Sequence, residues 1–185
     1  MTEAHRHFHD DLSQVKIRLL TMSGEAEAAL GLAVEALLER DGRKAQAVVS
    51  GDRVIDRMEV ELEEMCINLL ALQQPMARDL RMLTSALKIA NDLERVGDHA
   101  VNIAQSAQRL ADQRAIAPEP EIIEMARLAR DMLSDALEAF IRGDAQAGRE
   151  VCRRDDKVDV LHRSVAGLLG ATPEDDPYLL PSFMA

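Results

Sequence analysis

The stretch LTSALKIANDLERVGDHAVNIA, residues 83–104, decides how the rest of the chain is read. Its apolar and small residues fall at Leu83, Leu87, Ala90, Leu93, Gly97, Ala100 and Ala104, a rhythm of threes and fours that an α-helix turns into one seam. Asn91, Glu94, Asp98, Asn102 and Gln105 recur at the same spacing and make a polar stripe beside it. A half-buried strand would alternate with a period of two, and this run does not. The seam instead predicts a long helix that packs on other helices.

Working outward, the same rhythm returns. Val15, Leu19, Met22, Ala26, Ala29, Ala33 and Ala36, widened by Leu30, Val34 and Leu37, predict a first helix from Leu12 to the Asp41-Gly42 break. His5, His7 and His9 fall in a frayed terminus ahead of a helix start at Asp10/Ser13. Ala45, Val48, Ile55, Met58, Leu62, Met65, Leu69 and Leu72 predict a second helix, ended by Gln73-Gln74-Pro75. Proline there disfavours continuation and suits the first turn of the third helix. Three helices with tight turns make a bundle.

The segment DQRAIAPEP, residues 112–120, carries two prolines and no apolar rhythm, and is expected to link this bundle (1–111) to a second unit (121–185). Shifting the first half by 103 positions lays Met22 on Met125, Ala26 on Ala129, Leu30 on Leu133, Ala33 on Ala136, Glu35 on Glu138, Ala36 on Ala139, Asp41 on Asp144, Val48 on Val151, Asp52 on Asp155 and Asp56 on Asp159. That is an internal duplication, and the expected fold is all-α, two tandem three-helix bundles. The second copy reads as incomplete: Pro177 falls near where Pro75 fell, and only eight residues follow it, so most of a sixth helix is missing. An apolar groove along Leu133, Leu137, Phe140, Val151, Val158, Leu161 and Leu168 would then seek a cover, either the Tyr178–Met184 tail or a second chain in a homodimer or higher oligomer.

Composition excludes several functions. With 47% hydrophobic and 30% charged residues the chain is no disordered tail, and four aromatics without tryptophan argue against a β-sandwich. The 33 acidic and 22 basic residues give a charge of −11, which repels a phosphate backbone, so nucleic acid is excluded as a partner. No uninterrupted apolar run approaches the ~20 residues a membrane span needs. Met1–Asp11 lacks the apolar core of a secretory signal, and Cys66 and Cys152 read as two buried thiols in a reducing cytoplasm.

The densest chemistry is carboxylate. Glu94 and Asp98 lie one turn apart on the third helix, and Asp52 and Asp56 lie one turn apart on the second. Counted from the turn at Gln74, an antiparallel hairpin brings the two pairs to the same level. Carboxylates at one level repel, and a bound cation, nearby arginines or a raised pKa relieves them. Such oxygen-rich sites suit Mg²⁺ or Mn²⁺ and can hold iron in carboxylate-bridged clusters. The alternative is a solvated acidic face with salt bridges from Arg53, Arg57 and Arg95. The Glu-x-x-His pairs of a di-iron oxidase, phosphate-binding glycine loops, zinc spacings and nucleophile elbows are all absent from the sequence.

Four segments together carry a resemblance: LERVGDHAVNIA (93–104), QQPMARDLR (73–81), GDRVID (51–56) and HFHDDL (7–12). In order and content they resemble the PhoU family of phosphate-signalling regulators, and RRDDKVD (153–159) continues the likeness. The resemblance implies two similar three-helix bundles. It implies divalent metal or iron binding at acidic residues four apart, which here are Glu94 and Asp98, Asp52 and Asp56, and Asp155 and Asp159. A second Leu-Glu-Arg motif, expected on a sixth helix, lies past the end of this sequence. It further implies a cytoplasmic, non-enzymatic adaptor coupling the ATPase of a high-affinity phosphate ABC transporter to a phosphate-sensing histidine kinase, and repressing the phosphate-starvation response when phosphate is ample. Arg78, Arg81 and Arg95 are candidates for docking an acidic partner or for pairing internally, Arg95 with Asp98. Two alternatives remain: a metal store or metal-dependent enzyme using the carboxylate groove, and a purely structural helical scaffold.

Overall fold

A computed structural model describes residues 3–73, 75–111 and 120–170. They form α1 (Glu3–Glu39), α2 (Gly42–Gly51), α3 (Arg53–Gln73), α4 (Ala77–Leu110), α5 (Pro120–Arg142) and α6 (Ala145–Gly170), with no strand among them. The expected linker except Pro120, the turn residue Gln74 and the Tyr178–Met184 tail lie outside the described residues.

The first bundle packs α1 against α4, with α2 and α3 laid along both. The seam of α4 is buried as its spacing predicted at Leu83, Ala90, Leu93, Gly97, Ala100 and Ala104, with Ala107 continuing it, while Leu87 is half-buried and Ala86 is buried in its stead. Near the α3–α4 turn the core is built of large side chains, including Leu19, Met22, Leu62, Leu83 and Leu93. At the opposite end Ala33, Ala36, Ala45, Ala100, Ala104 and Ala107 replace them, so the bundle tapers.

Three expectations are corrected. Helix α1 starts at Glu3, well before Asp10, because Phe8 lies one turn before Leu12 and both enter the core; His7 and His9 flank Phe8 on exposed faces. The second helix is not continuous. It breaks at Asp52, whose carbonyl accepts from the amides of Ile55 (2.8 Å) and Asp56 (3.3 Å), and the preceding Gly51 is a poor helix former. Cys152 is exposed on α6, and only Cys66 is buried.

The duplication is visible in hydrogen bonds. After α1 the chain turns through Arg40 at φ 55°, the amide of Asp41 returns to the carbonyl of Ala36 (3.0 Å), and the Asp41 carboxylate accepts from the amides of Arg43 and Lys44. After α5 it turns through Gly143 at φ 68°, the amide of Asp144 returns to Ala139 (2.8 Å), and the Asp144 carboxylate accepts from Gln146 and Ala147. Each ends one helix in a left-handed residue with a six-to-one bond and caps the next with an aspartate. Every equivalent position is 103 apart.

The predicted open groove on α5 is partly filled from within the chain. Leu137 joins the core cluster of the first bundle, with Leu133, Phe140 and Ile141 packed against it, because α5 lies along α1. The Arg130 side chain of α5 lies over Gly31 of α1, where a Cβ would sit 3.1 Å from the guanidinium carbon. Helix α6 is tied to α5 by Lys157–Glu124 (2.8 Å) and Arg154–Asp135. Arg127 and Lys157 together hold the Glu124 carboxyl down, to about 2. Val151, Val158 and Leu161 stay half-buried between them, while Val160 is exposed.

The two thiols should separate cleanly by reactivity. Burial pushes Cys66 up to about 11, and it has no path to solvent, whereas Cys152 is open. A disulfide reagent at pH 8 is expected to modify one thiol per chain at once, at Cys152, and the second only when urea unfolds the first bundle. Two fast thiols would contradict the packing of α3.

Candidate functional site

The break at Asp52 and the glycine at 97 build the site together. A Cβ on Gly97 would stand 3.1 Å from Ile55 Cδ1 and 3.3 Å from Asp52 Oδ1, so the absence of a side chain lets the α2–α3 joint close onto α4. Asp52, Asp56, Glu94 and Asp98 thereby share one groove, as the hairpin level predicted. Their proximity is legible in their electrostatics. Asp52 is raised from its ordinary value by partial burial, then by Asp56 and Asp98. Glu94 is raised by burial, then by Asp98, Glu59, Asp56 and Asp52.

The salt-bridged alternative does not form. Among the described residues no lysine or arginine makes an ion pair with any of these four carboxylates. Arg95 bonds Asp92 (3.3 Å) rather than Asp98, although both lie three positions away on α4. Arg57 turns its Nε to the carbonyl of Arg53 (3.1 Å). The donor set is all oxygen, which fits the chemistry of a hard divalent cation. The spacing is not preformed: among the described residues no three His, Cys, Asp or Glu side chains converge on a point that could hold an ion as they stand. A cation here would have to draw the carboxylates in.

One residue of the groove was missed from sequence. Glu59 accepts from the Asn91 side-chain amide (3.3 Å) and adds to the charge around Glu94. Its spacing of three from Asp56 was the available signal. Asp155 and Asp159, the duplicates of Asp52 and Asp56, lie exposed on α6, which packs on α5, and no counterpart of α4 stands beside them among the described residues. Arg78 and Arg81 are exposed at the start of α4, far along the helix from Glu94.

The raised carboxylates fix a sign. A carboxyl whose native pKa exceeds its unfolded value costs stability as pH rises through that interval, and the full cost stands above the native pKa. Asp52→Asn is therefore expected to raise the melting temperature at pH 7 and to leave it unchanged near pH 3, where the group is neutral in both states. A lower melting temperature at pH 7 would mean that Asp52 is stabilised by a partner instead.

Comparison with known proteins bears on the whole arrangement. A family profile described as the PhoU domain matches residues 19–107 and again residues 122–174. The chain is 38% identical over 170 residues to a protein of Clostridium acetobutylicum named phosphate-specific transport system accessory protein PhoU homolog, covering 91% of this chain and 78% of that one. It is 31% identical over 180 residues to the Escherichia coli phosphate-specific transport system accessory protein PhoU, covering 96% and 73%. Among solved structures, PhoU from Pseudomonas aeruginosa superposes with a TM-score of 0.89 at 33% identity, over 96% of this chain and 85% of that one. The phosphate transport system regulatory protein PhoU of Streptococcus pneumoniae gives 0.87 at 25% identity, over 95% and 83%.

Proposed function

This chain belongs to the PhoU family, and on that footing we propose that it is an accessory protein of a phosphate transport system. It acts in the cytoplasm as an adaptor rather than an enzyme, joining the transporter's ATPase to a phosphate-sensing histidine kinase and holding the starvation response off when phosphate is ample. The observation that carries this reading is that relatives named as transport accessory proteins align over nearly the whole chain. Both matched repeats fall on the two helical units, which supports a protein built for contact. Among the described residues no helix is long and apolar enough to cross a membrane, so contact with the transporter is made through surfaces.

The carboxylate groove is the proposed regulatory site. Glu94 and Asp98 from α4, with Asp52 and Asp56 from α3 and its joint with α2, would hold a divalent or trivalent cation such as Mg²⁺, Mn²⁺ or iron. The ion supplies positive charge that relieves their repulsion and ties the α2–α3 joint to α4. Asp155 and Asp159 would complete an equivalent site only with a further helix beside them. The exposed apolar residues Ile123 and Val160 on α5 and α6 offer a surface for a homodimer or higher oligomer, which sedimentation would measure directly.

The test is capture of the transporter ATPase and the sensor kinase by this chain at high and low phosphate, beside a Glu94→Ala/Asp98→Ala variant. Capture at high phosphate, weakened several-fold in the variant, is the expected result. The same variant should lose the rise in melting temperature that Mn²⁺ gives the parent at pH 7. Absence of capture by folded protein overturns the adaptor reading, and equal capture by the variant removes the groove from it.

A further inference from the structure

Between α1, the first turns of α4 and the α5–α6 turn, a cavity of about 680 Å³ opens between the two halves. Its floor is apolar, made by Leu12, Met82 and Phe140, and its edge carries Lys16, Arg78 and Arg81. Next to Arg78, the α3–α4 turn holds Met76 out into solvent, 79% exposed. A large apolar side chain that far out of a core, close to a cavity of ligand-binding size, is what an interaction surface presents.

The cations gather on this edge. Several arginines of the molecule are tied into ion pairs, Arg18 with Glu61, Arg95 with Asp92, Arg127 with Glu124 and Arg153 with Glu150. Lys16, Arg78 and Arg81 make no ion pair among the described residues. For the two arginines the sequence explains this, since neither has an acidic residue three or four positions away on its helix. In a chain of charge −11, three unpaired cations on one rim are a local reversal of sign. Of the two carboxylates on the wall, Asp144 is engaged in capping α6, through the amides of Gln146 and Ala147, and Asp79 lies in the first turn of α4.

We propose that this cavity and its apolar lip dock an acidic amphipathic segment of a partner protein. Lys16, Arg78 and Arg81 receive its carboxylates, and Leu12, Met82, Phe140 and Met76 receive its apolar face. The inference rests on the accessory reading above, which supplies the partner. Charge complementarity selects the occupant: exposed pairs add little affinity each but steer and orient, while the apolar floor supplies the burial. Arg95, paired with Asp92, is not part of this surface.

The test compares capture of the transporter ATPase and the sensor kinase by the parent chain, an Arg78→Glu/Arg81→Glu variant and an Arg95→Glu control, with hydrogen exchange of each complex. Expected are at least tenfold weaker capture for the double reversal, capture unchanged for Arg95→Glu, weaker parent capture in high salt, and protection at both turns. Circular dichroism and melting temperature certify folding, and Arg78→Gln/Arg81→Gln serves if the reversal misfolds. Capture by all variants alike, or protection confined to the carboxylate groove, overturns the docking surface alone. No capture by any of them overturns the accessory reading with it. Release of the partner by inorganic phosphate, but not by chloride at equal ionic strength, would assign the cations to phosphate instead. A change of oligomeric state in the reversal would assign the surface to a second copy of this chain.

Discussion

Leu19→Ala is expected to lower the stability of the protein by about 3 kcal/mol. The value is read from the midpoint of urea unfolding at an unchanged m-value. Leu19 is wholly shielded from solvent on α1 and belongs to the cluster that also contains Leu62, Leu83 and Leu93. Three helices of the first bundle meet there, and Leu137 of α5 joins the same cluster, so the void cannot close by the movement of one helix. The neighbours Ile17 and Leu20, 54% and 45% exposed on the same helix, provide the contrast. Their alanine variants should change stability by no more than about 0.5 kcal/mol. Equal losses at all three positions would mean that α1 is rolled differently from its observed orientation.

Gly97→Val should cost about 2 kcal/mol and weaken the carboxylate groove as well. The first added carbon already meets Ile55 and Asp52 at contact distance, and two further methyl groups have no space unless the α2–α3 joint retreats from α4. Retreat carries Asp52 away from Asp98, so the rise in melting temperature produced by Mn²⁺ should shrink along with the urea midpoint. Gly97→Ala separates the two effects. Alanine favours the helix by about 1 kcal/mol over glycine, and the atom it meets first is the mobile end of Ile55, so its net change should be close to zero. A valine variant as stable as the parent would show that the joint is not pressed against α4.

The periodic helices were legible because burial in a bundle follows spacing, and the α4 seam from Leu83 to Ala107 was read with its inward face right. The start of α1 was misread because three alternating histidines look like a polar terminus, while the one residue that matters, Phe8, reaches the core from among them. The break at Asp52 left no apolar gap in the pattern, since Val48 and Ile55 fit one continuous helix. It is a hydrogen-bond event, and periodicity does not record those. The carboxylate pairs were placed at one level by simple counting from Gln74, but their freedom from arginine was not predictable. Arg95 had acidic neighbours on both sides, and only the fold shows that it turns to Asp92. The groove expected on α5 is covered in part for a related reason. Counting apolar residues shows that a face needs cover, and it does not say that part of the cover is α1 of the first bundle.

The two duplicated turns differ at their left-handed position. Both need a left-handed residue, and Gly143 takes that conformation freely while Arg40 does not. Arg40 has a second occupation: its guanidinium donates to the carbonyl of Leu110 at 2.8 Å, at the far end of α4. In the first copy the Arg40 guanidinium thus fastens the last turn of α4 to the end of α1, an anchor that a glycine at the same place has no atoms to supply.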